Sequence, residues 1–143
     1  MSSDKHTRSI HIDAPVEKVF GYIEDPANFL ATMPEKSQAT LESVNRNPDG
    51  TVATYEGRFR QAVMHFSVTY TREEYVPNER IVDRNSIGVV FIWTVEADAA
   101  GTTLALGADT SKLMEVIDKV FFHGEKHLHE ALAKIKEAVE ALP

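Results

Sequence analysis

Ile10 and Ile12 alternate with His11 and Asp13, the period-two pattern of a strand with one buried face. The period then changes: Val16, Val19, Phe20 and Ile23 recur at helical spacing. Pro15 marks the change, because its fixed φ and missing N–H suit a first helical turn, with Asp13 or Ala14 at the cap. Asp25-Pro26 restarts the chain, Phe29, Leu30 and Met33 give a second brief apolar face, and Pro34 prevents much further helix. The segment MSSDKHT that precedes all this reads as a loose end.

From about Ser37 to Thr110 the chain is rich in β-branched and aromatic residues, divided by turn-forming clusters at Asn47-Pro48-Asp49-Gly50, Val76-Pro77-Asn78, Gly88 and Asp98 to Gly101. No Gly-Pro type turn signal divides Tyr55 from Tyr70, yet one strand of that length would be unusually long, which places a turn near Gln61-Ala62. Six strands result, and their short connections make an antiparallel meander. Alternation faces Met64, Phe66, Val68 and Tyr70 inward on one strand and Phe91, Trp93 and Val95 on another. Tyr55 and Phe59 are the inward set on theirs, leaving Glu56 and Arg58 outside, and the last strand buries Leu104 and Leu106. Ile81 to Ser86 fits either parity, since each points a polar or charged group inward.

Beyond Lys112 the helical period returns. Leu113, Ile117, Val120, Phe121, Gly124, Leu128, Ala131, Leu132, Ile135, Val139 and Leu142 form one stripe, predicting a single helix about 45 Å long at 1.5 Å per residue. The one sizeable apolar surface available to such a helix is the concave face of the twisted sheet, so the sheet should wrap it. The fold class expected is α+β: a seven-stranded antiparallel sheet around a long C-terminal helix, with two short helices between strands one and two. A length of 143 residues, without repeats or shifts of composition, suits a single domain over residues 1–143.

Composition narrows the chemistry. A formal charge of −7, with 15 Lys and Arg scattered among 22 Asp and Glu, leaves no basic stripe for a phosphate backbone, so nucleic acid is not an expected partner. The absence of cysteine removes disulfides, thiolate nucleophiles and thiolate metal sites. No run approaches the roughly 20 apolar residues of a membrane span, so stable membrane insertion is not expected and a soluble, cytoplasmic protein is the default.

The stretches IHIDAPVEKVFGYIEDPANF, VVFIWTVEADAAGTTLAL and KLMEVIDKVFFHGEKHLHEALAKIKEAVEAL, in this order of elements, resemble the helix-grip fold of the START-like superfamily, which includes polyketide cyclase/dehydrase-like and lipid-transfer proteins. The resemblance covers nearly the whole chain and specifies fold more than chemistry. It implies a cavity between sheet and long helix for a hydrophobic or amphipathic small molecule of lipid, isoprenoid or polyketide class, and it carries no shared catalytic motif. It also implies that the first strand joins the sheet edge while the two short helices plug one end.

The candidate lining is Tyr55, Phe59, Met64, Phe66, Tyr70, Phe91, Trp93, Leu104 and Leu106 from the strands, with Leu113, Ile117, Val120, Phe121 and Gly124 from the helix. Apolar walls with a few polar handles suit such a ligand, and the Tyr hydroxyls and Trp N–H would supply the handles. The same rings would equally fill a solid core. Gly124 in the helical stripe reads as room for a ligand or as close packing. His123 and His127 stand four apart with Glu130 three further on, yet Gly124 stands where the zinc-protease motif has Glu, and no metal or cofactor is expected. No nucleophile turn is recognisable. If a reaction occurs, acid-base help to a cyclisation or dehydration by a Tyr, Asp83, Asn85, Arg84 or His65 is the alternative to simple binding. A protein-interaction module is a third reading.

Overall fold

The structure is a computed structural model and describes residues 4–110 and 124–143. Its elements run β1 (Asp4–Ile12), α1 (Val16–Ile23), α2 (Pro26–Leu30), β2 (Thr40–Arg46), β3 (Val52–Gln61), β4 (Met64–Val76), β5 (Arg80–Asn85), β6 (Val89–Asp98), β7 (Gly101–Thr110) and α3 (Gly124–Glu140), with a single 3-10 turn at Glu35–Ser37 after Pro34. The strands form one antiparallel sheet in the order β1-β7-β6-β5-β4-β3-β2. A meander thus runs from β2 to β7, and β1 closes on its far edge.

The helical starts differ slightly from expectation. Pro15 is itself the cap of α1, in extended conformation and without a side-chain cap bond. Asp25 caps α2 by accepting from the Ala27 N–H at 3.0 Å, with Pro26 at the first helical position. β1 begins at Asp4, not near Ile10, because its register with β7 continues to the Asp4–Thr110 pair. The expected loose end is strand from Asp4 onward, held by backbone pairing that carries no apolar signal.

The β3–β4 turn falls at Ala62-Val63, between the paired residues Gln61 and Met64. Ala62 takes a φ of +55°, a conformation in which a Cβ is unfavourable. The chain makes the turn with Ala there in spite of that cost, so no Gly or Pro announces it.

The inward faces of β3, β6 and β7 follow the expected parity: Tyr55 and Phe59; Phe91, Trp93 and Val95; Leu104 and Leu106, all buried. On α3, Leu128, Ala131, Leu132, Ile135 and Val139 are buried, and the helix packs mainly on β1 and β7. Leu142 lies past the end of α3 and is exposed, so it leaves the stripe. Of the helical positions expected to line a cavity, Leu113, Ile117, Val120 and Phe121 lie outside the described residues, and Gly124 begins α3.

Two glycines admit close approach. A Cβ on Gly101 would collide with the Ile12 carbonyl where the end of β1 crosses the β6–β7 turn, and one on Gly57 would press on Leu30 of α2 at 3.1 Å. That same β1 end is clasped by His11. Its Nδ1 meets Asp98 Oδ2 and its Nε2 meets Asp13 Oδ1, each at 2.7 Å, so only the imidazolium donates both bonds. The Asp98 bond first, then the Asp13 bond, raises His11 above the usual imidazole range, and the His11 bond chiefly holds Asp98 down at about 2.

The raised His11 value contributes stability that is complete below its unfolded pKa of about 6.5 and lost as pH climbs through the folded value. The lowered Asp98 value contributes above 3.8 and is lost as pH falls through about 2. Urea midpoints of wild type and His11→Gln should therefore differ most between these limits, from about pH 4 to 6.5, and converge above that window. A gap that widens as pH rises from 6.5 would contradict the clasp.

Candidate functional site

Phe29, from the short helix α2, stands at the centre of the concave face. Its ring meets Phe91 at 5.1 Å, Tyr70 at 5.6 Å, Trp93 at 5.8 Å and Tyr55 at 6.5 Å between centroids, all four tilted steeply against it. Such edge-to-face contacts are the favoured aromatic geometry. Four of the rings expected to line a cavity thus enclose a side chain of the protein itself. The short helices do plug the grip, and they do so by inserting a ring among the rings of the sheet. Sequence reading placed Phe29 on an apolar helical face and did not single it out, because nothing in a five-residue helix tells which strands it meets.

Beneath Phe29, Tyr55 and Tyr70 stack in parallel at 4.8 Å. Both reach toward β5, whose parity the structure resolves: Ile81, Asp83 and Asn85 face inward and are buried. Asp83 Oδ2 accepts from the Tyr55 hydroxyl at 2.6 Å. The Arg72 guanidinium grips the same carboxylate through Nε at 2.9 Å and Nη2 at 3.1 Å, and its Nη1 donates to the Glu24 carbonyl at the end of α1. The Arg72 and Asp83 side chains are only 3% and 1% exposed, so the pair is fully withdrawn from water. Arg72 also lies 5.9 Å from the centre of the Tyr55 ring.

Ionisation follows from these contacts. Burial pushes the Tyr55 hydroxyl well up, and the neighbouring Asp83 charge pushes it further. Burial alone would pull Arg72 down, but its hydrogen bonds to Asp83 and that charge prevail and raise it. The Tyr55 proton is therefore spent on Asp83, and Asp83 is spent on Arg72 and Tyr55, which leaves this cluster without a free acid or base.

Tyr70 differs. The Asn85 Oδ1 accepts from the backbone N–H groups of Ile87 at 3.1 Å and Val89 at 2.9 Å, which fixes the amide so that its NH₂ is the group facing Tyr70. Burial first raises the Tyr70 hydroxyl above its ordinary range, and the Asn85 side chain opposes this in part. The Tyr70 proton has no acceptor among the described residues, although the residue is 2% exposed.

Toward the β3–β4 turn, Phe59 and Phe66 stack at 5.6 Å, apart from Phe29. Leu106 is buried on the same concave face and Ala108 packs against the core. Met64 shares the face of Phe66 by register but is 69% exposed, because the hairpin runs on past the core; its expected place in a lining is corrected. Arg84 and His65 are exposed, Arg84 paired with Glu73 at 2.8 Å, so neither is an interior acid or base. His123 lies outside the described residues and Glu130 is exposed; among the described residues no group of His, Asp or Glu is arranged to hold a metal ion.

Arg72→Met should cost about 3–5 kcal/mol in urea unfolding, because it strands a buried carboxylate, and adding Asp83→Asn should recover part of that loss. A loss below about 1 kcal/mol in the single variant would mean that the carboxylate is solvated.

Many solved structures share this architecture, among them the following three. Protein CV1439 from Chromobacterium violaceum matches at a TM-score of 0.71 and 18% identity, over 97% of this chain and 99% of its own. The Polyketide_cyc-like protein Cgl2372 from Corynebacterium glutamicum matches at 0.66 and 19%, over 95% and 91%. The AHSA1-like protein from Aeromonas hydrophila matches at 0.68 and 16%, over 98% of each. At these identities the likeness speaks for the fold alone. No curated protein matches the chain. Among the described residues no helix is long and apolar enough to cross a membrane. The family model described as "Polyketide cyclase / dehydrase and lipid transport" matches residues 3–140, and with the helix-grip fold already in view the chain belongs to that family.

Proposed function

We propose that this chain binds a hydrophobic or amphipathic small molecule of lipid, isoprenoid or polyketide class between its sheet and its C-terminal helix. The observation that carries the reading is the buried Tyr70 hydroxyl, oriented by Asn85 with its proton unspent among the described residues. A buried donor left without an acceptor is costly, and a ligand oxygen would relieve that cost. Phe29 covers the rings around Trp93, so the apolar part of the guest lies toward Phe59 and Phe66, and a carbonyl, hydroxyl or ether oxygen meets Tyr70. Among the described residues the buried cation near this site, Arg72, is committed to Asp83 and to the Glu24 carbonyl, which disfavours an anionic headgroup. The commitment of Tyr55 and Asp83 to each other also favours binding over acid-base turnover.

Thermal unfolding with 2-acetylnaphthalene, 2-ethylnaphthalene and farnesol tests this. A ligand at a hundred times its Kd stabilises the folded state by about 2.7 kcal/mol, readily seen as a rise in Tm. Tyr70→Phe, which keeps the stack on Tyr55, should weaken the acetyl compound by about three- to tenfold, the worth of one hydrogen bond, and leave the ethyl compound unchanged. If none of the three raises Tm, the binding reading fails; if Tyr70→Phe affects both naphthalenes alike, the hydroxyl is not the handle.

A further inference from the structure

Among the described residues the exposed large apolar side chains are Val63 at 85%, Met64 at 69%, Ile87 at 39% and Leu142 at 44%. Three of these four share one end of the sheet. The β5–β6 turn, which holds Ile87, lies at the same end, and the β3–β4 hairpin runs on past it, because Asn85 pairs with Tyr70, well short of Met64 along β4. Val63 and Met64 form the tip itself, carried on the left-handed backbone of Ala62.

Several cations of the sheet and of α3 are paired with acids. Arg80 pairs with Glu74, Arg84 with Glu73, Arg72 with Asp83 and Lys136 with Glu140. Arg58 and Arg60, both exposed, have no acidic partner among the described residues. Arg60 instead folds back along the hairpin, its Nε donating to the Ala62 carbonyl at 2.9 Å, which sets the guanidinium at the apolar tip. His65 stands opposite Arg60 in the β3–β4 register and is also exposed. The turns at the opposite end of the sheet carry exposed Asp13, Asp49 and Glu79. In a chain of net charge −7, Arg58, Arg60 and His65 stand exposed on the strands that carry the protruding apolar residues.

We propose that the β3–β4 tip docks on an anionic lipid bilayer surface. Apolar side chains ringed by cations are what the interfacial zone of such a bilayer accepts: the former enter the acyl boundary while the latter meet lipid phosphates. The convex shape of the hairpin decides against a protein partner, since a two-residue turn cannot bury the roughly 1,000 Å² that a specific protein interface needs. A soft headgroup layer closes around a narrow tip without that requirement. The proposal goes beyond the binding of a small molecule and does not rest on it, because none of these residues takes part in the contacts of Tyr70.

Co-sedimentation of the full chain with phosphatidylcholine vesicles, with and without phosphatidylglycerol, tests it at low and high salt. Wild type should sediment with the anionic vesicles at low salt, be released at high salt, and ignore the zwitterionic ones. Val63→Asp with Met64→Asp should abolish binding, and Arg58→Gln with Arg60→Gln should weaken it roughly fivefold per cation removed. Leu142→Asp, at the far end, should change nothing. Unchanged circular dichroism and Tm confirm that the variants fold. Failure of wild type to bind anionic vesicles, equal binding to both vesicle types, or undiminished binding by the aspartate variant would each overturn the proposal.

Discussion

Arg72 carries a full charge into the interior and thereby joins four elements at one point. It belongs to β4, clamps Asp83 on β5, reaches β3 through the Tyr55 hydroxyl that shares Asp83, and bonds the last carbonyl region of α1 at Glu24. Neither charge is tolerable alone at this depth, so β5 can turn Asp83 inward only if β4 delivers Arg72 opposite it. The register does so, pairing Arg72 directly with Asp83 before a bulge between Arg72 and Glu74 reverses the parity and lets Tyr75 turn inward against Phe20. Tyr75 then donates its hydroxyl to Glu24 as well, which fixes the end of α1 from a second side.

With α1 anchored there, α2 follows after Asp25 and brings Phe29 over the sheet. The aromatic face is thereby divided: rings near Trp93 complete a packed core around Phe29, and the Phe59–Phe66 pair is left outside that group. A buried ion pair contributes little net stability compared with apolar residues of the same shape. Its value here is positional, since it holds the plug and the strands it covers in one arrangement.

The division also gives the molecule two unlike ends. Around Glu140, Asp13 and Lys136 the chain closes on itself: Glu140 accepts from the Asp13 N–H and from Lys136, and Lys136 reaches the His11 carbonyl. At the β3–β4 end the hairpin projects beyond the core with its apolar tip and the exposed Arg58 and Arg60. The proposed guest site and the proposed lipid-facing tip both lie toward this second end, which would let a greasy ligand pass from a bilayer to the interior without crossing the closed side.

Periodicity determined a great deal unaided. Both short helices, the buried stripe of α3 and the inward parity of β3, β6 and β7 follow from apolar spacing, because each of these faces is continuous and a shift of one residue would expose all of it. The meander followed from short connections, and the place of β1 at the sheet edge was implied by the family resemblance. β5 escaped that logic, since Asp83 and Asn85 make its inner face look polar until Arg72, Tyr55 and Tyr70 are seen to answer them. The Arg72 signal was present, two residues beyond Tyr70 on the inward parity of β4, but it had meaning only once β4 and β5 were paired. Phe29 at the centre of four rings, the exposure of Met64 and the isolation of the Tyr70 proton were decided by tertiary structure alone. They depend on how far one element reaches across another, a distance that apolar spacing along a single strand or helix does not encode.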